Sequence, residues 1–203
     1  MKNTVFAIAL AAAGLAAAPG LSVAQEGNAG NSAFFINGNI GQSSLSKNVY
    51  DDDDVGYIIN GGYRWAFSPN VAIGIEGGYT DLGKFKTKDS FSSAGIPDAK
   101  ISGWTLGANG HFNLNPNWYI SARGGFFRAD VKGAYYPGNS YGGTPGTLTY
   151  VDDTSTKYYA GAGFGYDFSN NFSVGLNYDY YKADKAGLYL APSLVSVSGE
   201  LRF

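Results

Sequence analysis

Eight stretches of this chain alternate apolar and polar residues with a period of two, and the connections between them alternate between short and long. The apolar faces run Phe34–Ile40, Val55–Trp65, Val71–Tyr79, Trp104–Phe112, Trp118–Phe126, Tyr158–Phe168, Phe172–Tyr180 and Val195–Phe203. A period of two marks extended strands with unlike faces. Phe67 to Asn70, Asn113 to Asn117 and Ser169 to Asn171 read as tight turns, rich in the Asn, Ser and Pro that turns favour. Gln42 to Asp53, Lys84 to Asp98, Gly133 to Asp153 and Lys185 to Ala191 read as long polar loops. An up-and-down barrel has this rhythm when its turns gather at one rim and its loops at the other; a Greek-key sandwich has no reason for it. The strand count is even and most segments run about 10 residues, as a tilted membrane strand requires.

The second faces decide what the barrel encloses. Asp54, Asn60, Arg64, Glu76, Asn109, His111, Arg123, Asp167, Asn177, Asp179, Glu200 and Arg202 occupy them, spaced by Gly and Ser. A soluble sandwich would turn these outward and bury the rings, whereas a membrane barrel does the reverse. Rings gather at strand ends: Trp65, Phe67, Phe112, Trp118, Phe168, Phe172 and Phe203 toward the turns, and Tyr57, Tyr79, Tyr158 and Tyr180 toward the loops. Two interfacial aromatic belts are expected from that placement. The pattern predicts an all-β protein, an eight-stranded antiparallel up-and-down transmembrane β-barrel with a polar interior.

The N-terminus reads as an export signal over residues 1–24. Lys2 precedes an apolar run from Val5 to Ala18, too short to span a bilayer as a helix, and Ser22-Val23-Ala24 offers a small-residue cleavage site near Ala24. Residues 25–203 then form one barrel domain. The chain has no cysteine, which excludes disulfides, thiol catalysis and Cys-ligated metal. A formal net charge of −2 without any Lys/Arg cluster argues against nucleic acid as a partner.

The stretch GGYRWAFSPNVAIGIEGGYTDLG (Gly61–Gly83) resembles the second-to-third strand hairpin of the outer-membrane protein A (OmpA) transmembrane domain. GGFFRAD (Gly124–Asp130), YAGAGFGY (Tyr159–Tyr166) and the closing Arg202-Phe203 resemble later strands of the same family, so the likeness spans nearly all of residues 30–203. This resemblance implies a barrel of a Gram-negative outer membrane, exported through the periplasm. Its implied partners are periplasmic chaperones, the outer-membrane assembly machinery, the membrane's lipids and lipopolysaccharide. It implies that Phe203 acts as the assembly signal, and it points to the barrel-only members, including the opacity-like surface proteins, because no peptidoglycan-binding domain follows. It also matches Glu76 and Arg202 to a lumenal charge network that blocks or gates such barrels; Arg64, Arg123 and Glu200 offer the pairing that buried charges need. Where the family carries a switching Lys and Glu, this chain places Asn109 and Asn177.

Three functional readings follow. A structural barrel with surface display and at most a narrow, mostly closed porin-like lumen is the first. An adhesin is the second, acting on a host or cell-surface ligand through the third long loop, where Tyr135, Tyr136 and Tyr141 stand among Gly and Pro. An outer-membrane lipid-modifying enzyme is the third, and His111, the one histidine, would be its base. That residue lies beside a turn on the periplasmic side, away from outer-leaflet substrates, so no catalytic residue, cofactor or metal is expected. The carboxylates Asp51 to Asp54 read as a solvated end of the first loop, with a divalent cation as the alternative.

Overall fold

The computed structural model describes residues 32–47, 50–85, 99–135, 149–183 and 191–203. Its strands are β1 (Ala33–Lys47), β2 (Tyr50–Ser68), β3 (Val71–Phe85), β4 (Ala99–Asn113), β5 (Trp118–Tyr135), β6 (Thr149–Asp167), β7 (Phe172–Tyr181) and β8 (Ser193–Arg202). They form one closed barrel in sequence order, each antiparallel to the next, with β8 returning to β1. Closure removes every sheet edge inside a membrane, where no water is present to satisfy an unpaired backbone group.

Ten residue pairs, Phe35↔Arg202 to Ser44↔Ser193, make the closing seam. Beyond them the backbones of Phe34 and Phe203 exchange hydrogen bonds of 3.1 and 3.0 Å, and their rings stack at 6.4 Å. Gly41 permits the seam's close approach, because a Cβ there would lie 1.9 Å from the Val195 carbonyl oxygen.

The three tight turns fall where the sequence places them, and one rim carries them with both ends of the described barrel. Two of the long loops differ from expectation. Gln42 to Asp53 is mostly paired strand: Gln42↔Val55 continues through Ser43↔Asp54 and Ser44↔Asp53 to Lys47↔Tyr50. Asp51 to Asp54 therefore belong to β2 rather than to a loop end, and Asp53 accepts from Gln42 Nε2 at 2.8 Å and Ser44 Oγ at 2.6 Å. Likewise β5 and β6 stay paired to Tyr135↔Thr149, so much of Gly133 to Asp153 is hairpin. Strands that rise clear of the membrane meet water on their outer face and lose the two-residue contrast that reveals them.

Asp54 and Gly83 lock the β2–β3 rim. Lys84 N donates to Asp54 Oδ2 at 2.7 Å, and Gly83, at φ 84°, leaves no room for a side chain, since its Cβ would meet Asp54 Oδ2 at 2.6 Å. At the same rim Lys100 donates to Asp81 at 3.2 Å, and that bond raises the ammonium pKa above its ordinary value.

Candidate functional site

Alternation sends one face of each strand outward, and that face is apolar. Ile36, Ile59, Ile75, Leu106, Ile120, Phe164, Leu176 and Val195 are exposed large hydrophobes at strand centres, with Trp65, Phe67, Trp118, Phe168 and Phe203 at the turn rim and Tyr57, Trp104, Phe126 and Tyr158 on the loop side. About 10 residues of strand, ~33 Å, tilted by about 40°, span the ~25 Å apolar band of an outer-membrane barrel.

The inward faces are filled along their whole length, in two unlike halves. On the turn side the filling is ionic. Arg64 donates through Nη1 and Nη2 to Glu200 at 2.6 and 2.8 Å and through Nε to Asn109 Oδ1 at 2.5 Å; its guanidinium also lies 4.0 Å from the centre of the Phe35 ring. Arg123 grips Asp179 through Nε at 2.6 Å and Nη2 at 2.5 Å. Arg202 reaches Asp167 Oδ1 at 2.5 Å, also bonds Ser173, and stands 3.6 Å from Glu200. Glu76 accepts from Asn109 Nδ2 at 3.1 Å and from the Tyr159 hydroxyl at 2.7 Å. The pairing thus runs between strands far apart in the chain, in the two-point geometry that favours Arg over Lys for buried pairs.

All five charged residues expected in the lumen lie inside it, but not all pair with one another. Arg64 and Glu200 do; Arg123 and Arg202 take Asp179 and Asp167 as principal partners, and Glu76 takes no cation among the described residues. Asn109 and Asn177 join this network as amides: Asn177 Nδ2 donates to Ser198 at 2.8 Å and to Asn39 at 3.2 Å. His111 is buried beside the β4–β5 turn with Nε2 3.2 Å from Asp167 Oδ2, and its ring stacks on Tyr119 at 4.1 Å. Tyr136 and Tyr141 lie outside the described residues, and Tyr135 ends β5.

The loop-side half overturns the expectation of a uniformly polar interior. Leu45, Ile58, Leu82, Phe85, Ile101, Phe127, Ala129, Val131, Tyr159, Tyr181, Ala183 and Leu194 form one buried cluster there. Tyr181 stacks on Tyr159 at 5.9 Å and meets Phe127 edge-on at 5.0 Å. A sequence signal for this cluster exists, though the period-two reading passes over it: the alternation breaks into the ring doublets Phe126-Phe127, Tyr158-Tyr159 and Tyr180-Tyr181, one ring outward and one inward, and into the run Tyr57-Ile58-Ile59, whose middle residue is buried. Within the ionic half a cavity of about 30 Å³ is lined by residues that include Arg64, Glu76, Asn109, Arg123 and Glu200. That holds a water molecule or two, and no solute.

A closed eight-stranded barrel with an apolar outside, ring belts at two levels and an ionic inside is an integral β-barrel membrane protein, the kind that only complete strand closure makes compatible with lipid. Its sequence agrees: residues 7–203 match the outer membrane protein beta-barrel domain, and the chain belongs to that family. It is an outer-membrane protein; in such barrels short turns face the periplasm and longer loops the exterior.

Solved structures share the fold. Ail, the attachment invasion locus protein of Yersinia pestis, aligns at 18% identity with a TM-score of 0.55 over 88% of this chain and 100% of that one. A second structure of Ail, in complex with the heparin analogue sucrose octasulfate, aligns at 18% identity and 0.56 over 85% and 99%. Neisserial surface protein A aligns at 13% identity and 0.56 over 85% and 99%. A sequence search among curated proteins finds no match.

Proposed function

We propose that this protein is a non-conducting, non-catalytic barrel that holds its outer loops at the cell surface. The observation that carries this reading is the doubly filled interior: an ion passing through would have to break the arginine–carboxylate pairs and then cross a dry cluster of Phe, Tyr, Leu and Ile. Refolded protein in a planar bilayer, with heat-dependent gel mobility confirming the folded barrel, is expected to show no conductance above the bare membrane. Glu76→Ala, which opens space in the ionic half only, should stay silent too. Discrete openings in the unmodified protein would instead establish a pore.

Export and assembly complete the reading. Residues 1–24 are removed near Ala24 in the periplasm, chaperones carry the chain to the assembly machinery, and Phe203, held against Phe34 at the closing seam, serves as its signal. The folded barrel then packs against outer-membrane lipids and lipopolysaccharide. His111 acts as a structural side chain, its Nε2 at Asp167 and its ring face against Tyr119.

A second reading, surface attachment, draws on the β5–β6 hairpin. Its outward residues past Phe126 and Tyr158 turn polar, with Arg128 opposite Thr156 and Asp130 opposite Thr154, so the hairpin stands clear of the apolar band. Tyr136 and Tyr141 belong to the segment 136–148 that joins the two strands of this hairpin in sequence. The name of Ail, a structural neighbour, points the same way. Deleting residues 136–146 should abolish adhesion of expressing cells to a host surface while the heat-modifiable barrel persists; undiminished adhesion would rule this reading out.

A further inference from the structure

The lipid-facing surface ends on the loop side at a row of outward rings, and what lies just beyond that row differs around the barrel. On β5 and β6 the last rings are Phe126 and Tyr158, directly opposite each other and 68% and 51% exposed. The next outward positions hold Arg128 and its cross-strand partner Thr156, both exposed. Past the end of β7, Lys182 N donates to the Tyr158 carbonyl at 3.1 Å, and its ammonium stands 5.8 Å from the centre of the Tyr158 ring. That ring is on the outside of the barrel, so the lysine's charge is there too.

Positive charge at this level belongs to one sector among the described residues. On β1 to β4 and on β8 the first outward polar residues are Gln42, Asp53, Asp81, Ser102 and Ser193. Lys100, farther out on β4, is neutralised by Asp81 at 3.2 Å. In the basic sector the next outward carboxylate, Asp130, lies two residues beyond Arg128 and accepts from Thr154 Oγ1 at 3.1 Å. Rings of this kind favour the headgroup level, and two residues of tilted strand rise only about 5 Å. Arg128 and Lys182 therefore stand where a lipid carries its phosphate. A guanidinium meets phosphate through two parallel bonds and an ammonium meets it as a point charge. Two strand spacings, about 10 Å, separate β5 from β7, a gap that two long side chains can close over Thr156.

We propose that Arg128, Lys182 and the Thr156 hydroxyl form a binding site for a phosphate of lipid A, with Phe126 and Tyr158 against the acyl chains below it. The assignment rests on the reading that the barrel packs against lipopolysaccharide, and it names the chemical group and the sector of that contact.

The purified barrel, its fold checked by heat-dependent gel mobility, is titrated in detergent with bisphosphorylated lipid A, with the same lipid stripped of phosphate, and with phosphatidylglycerol. Native mass spectrometry counts the bound lipid. Phosphorylated lipid A should bind saturably, and Arg128→Gln and Lys182→Gln should each weaken it about fivefold, the contribution of one basic residue at an anionic membrane surface. Lys157→Gln removes an exposed lysine next to Tyr158, at the alternate position of β6, and should leave binding unchanged. All four proteins should hold the stripped lipid alike. Full-strength binding of phosphorylated lipid A by both Arg128→Gln and Lys182→Gln would overturn the proposal, as would an equal loss in Lys157→Gln. So would phosphatidylglycerol that binds as tightly and shows the same losses, since the site would then take any anionic lipid. A folded barrel that retains neither form of lipid A would overturn the lipopolysaccharide contact itself, and the proposal with it.

Discussion

Glu200→Ala is expected to destabilise the folded barrel by about 3–5 kcal/mol, the usual cost of breaking a buried ion pair from one side. The carboxylate holds Arg64 by two bonds of 2.6 and 2.8 Å and lies 3.6 Å from Arg202 Nε, so its loss strands one guanidinium and weakens the surroundings of a second. Much of the loss comes from the charge left behind rather than from the bond removed. Replacing both partners, Arg64→Met with Glu200→Leu, should therefore cost less than the single change, because the Arg64 guanidinium is then not left buried without its carboxylate. Equilibrium urea unfolding in detergent, read by tryptophan fluorescence, measures both. A double variant as unstable as Glu200→Ala would show that the pair stabilises through packing and not through charge balance.

Leu176→Arg should cost about 2–4 kcal/mol, while Leu114→Arg should cost about 0–1 kcal/mol. The two leucines are almost equally exposed, at 61% and 60%, so in water neither change would matter much. Depth separates them. Leu176 lies at the centre of β7, between Phe164 and Val197 on the flanking strands, where a guanidinium meets hydrocarbon. Leu114 stands in the β4–β5 turn, where it meets headgroups and water. Folding titrations into lipid vesicles compare them directly. Equal, small costs would mean that β7 does not face lipid.

The strands, the order of turns and loops and the lipid face were legible because they rest on local rules. A two-residue period sorts Phe164 from Gly165, and Ser169 to Asn171 makes a turn by its own chemistry. The same rules fail past the apolar band. Gln42 to Lys47 and Tyr50 to Asp53 lack that contrast, and only their mutual pairing reveals them as strand. Inside the barrel, the charged residues were legible as lumenal from their alternation with the rings. Their partnerships were not: Arg64 finds Glu200 at a distance of 136 residues along the chain, and Arg123 finds Asp179 at 56.

Phe203 and its strand illustrate the division. Alternation alone puts Val195, Val197, Leu201 and Phe203 on one side and Ser196, Ser198, Glu200 and Arg202 on the other, since neighbouring side chains of a strand must point apart. Closure decides the rest. Where β8 stops against β1 sets which residues share a level of the lumen, and therefore that Arg202 meets Asp167, that Glu76 meets Asn109 and Tyr159, and that rings adjoining the lipid-facing ones close the outer half. Those outcomes depend on eight registers at once, because a charge or a ring inside a barrel has its environment set by strands it does not adjoin in sequence.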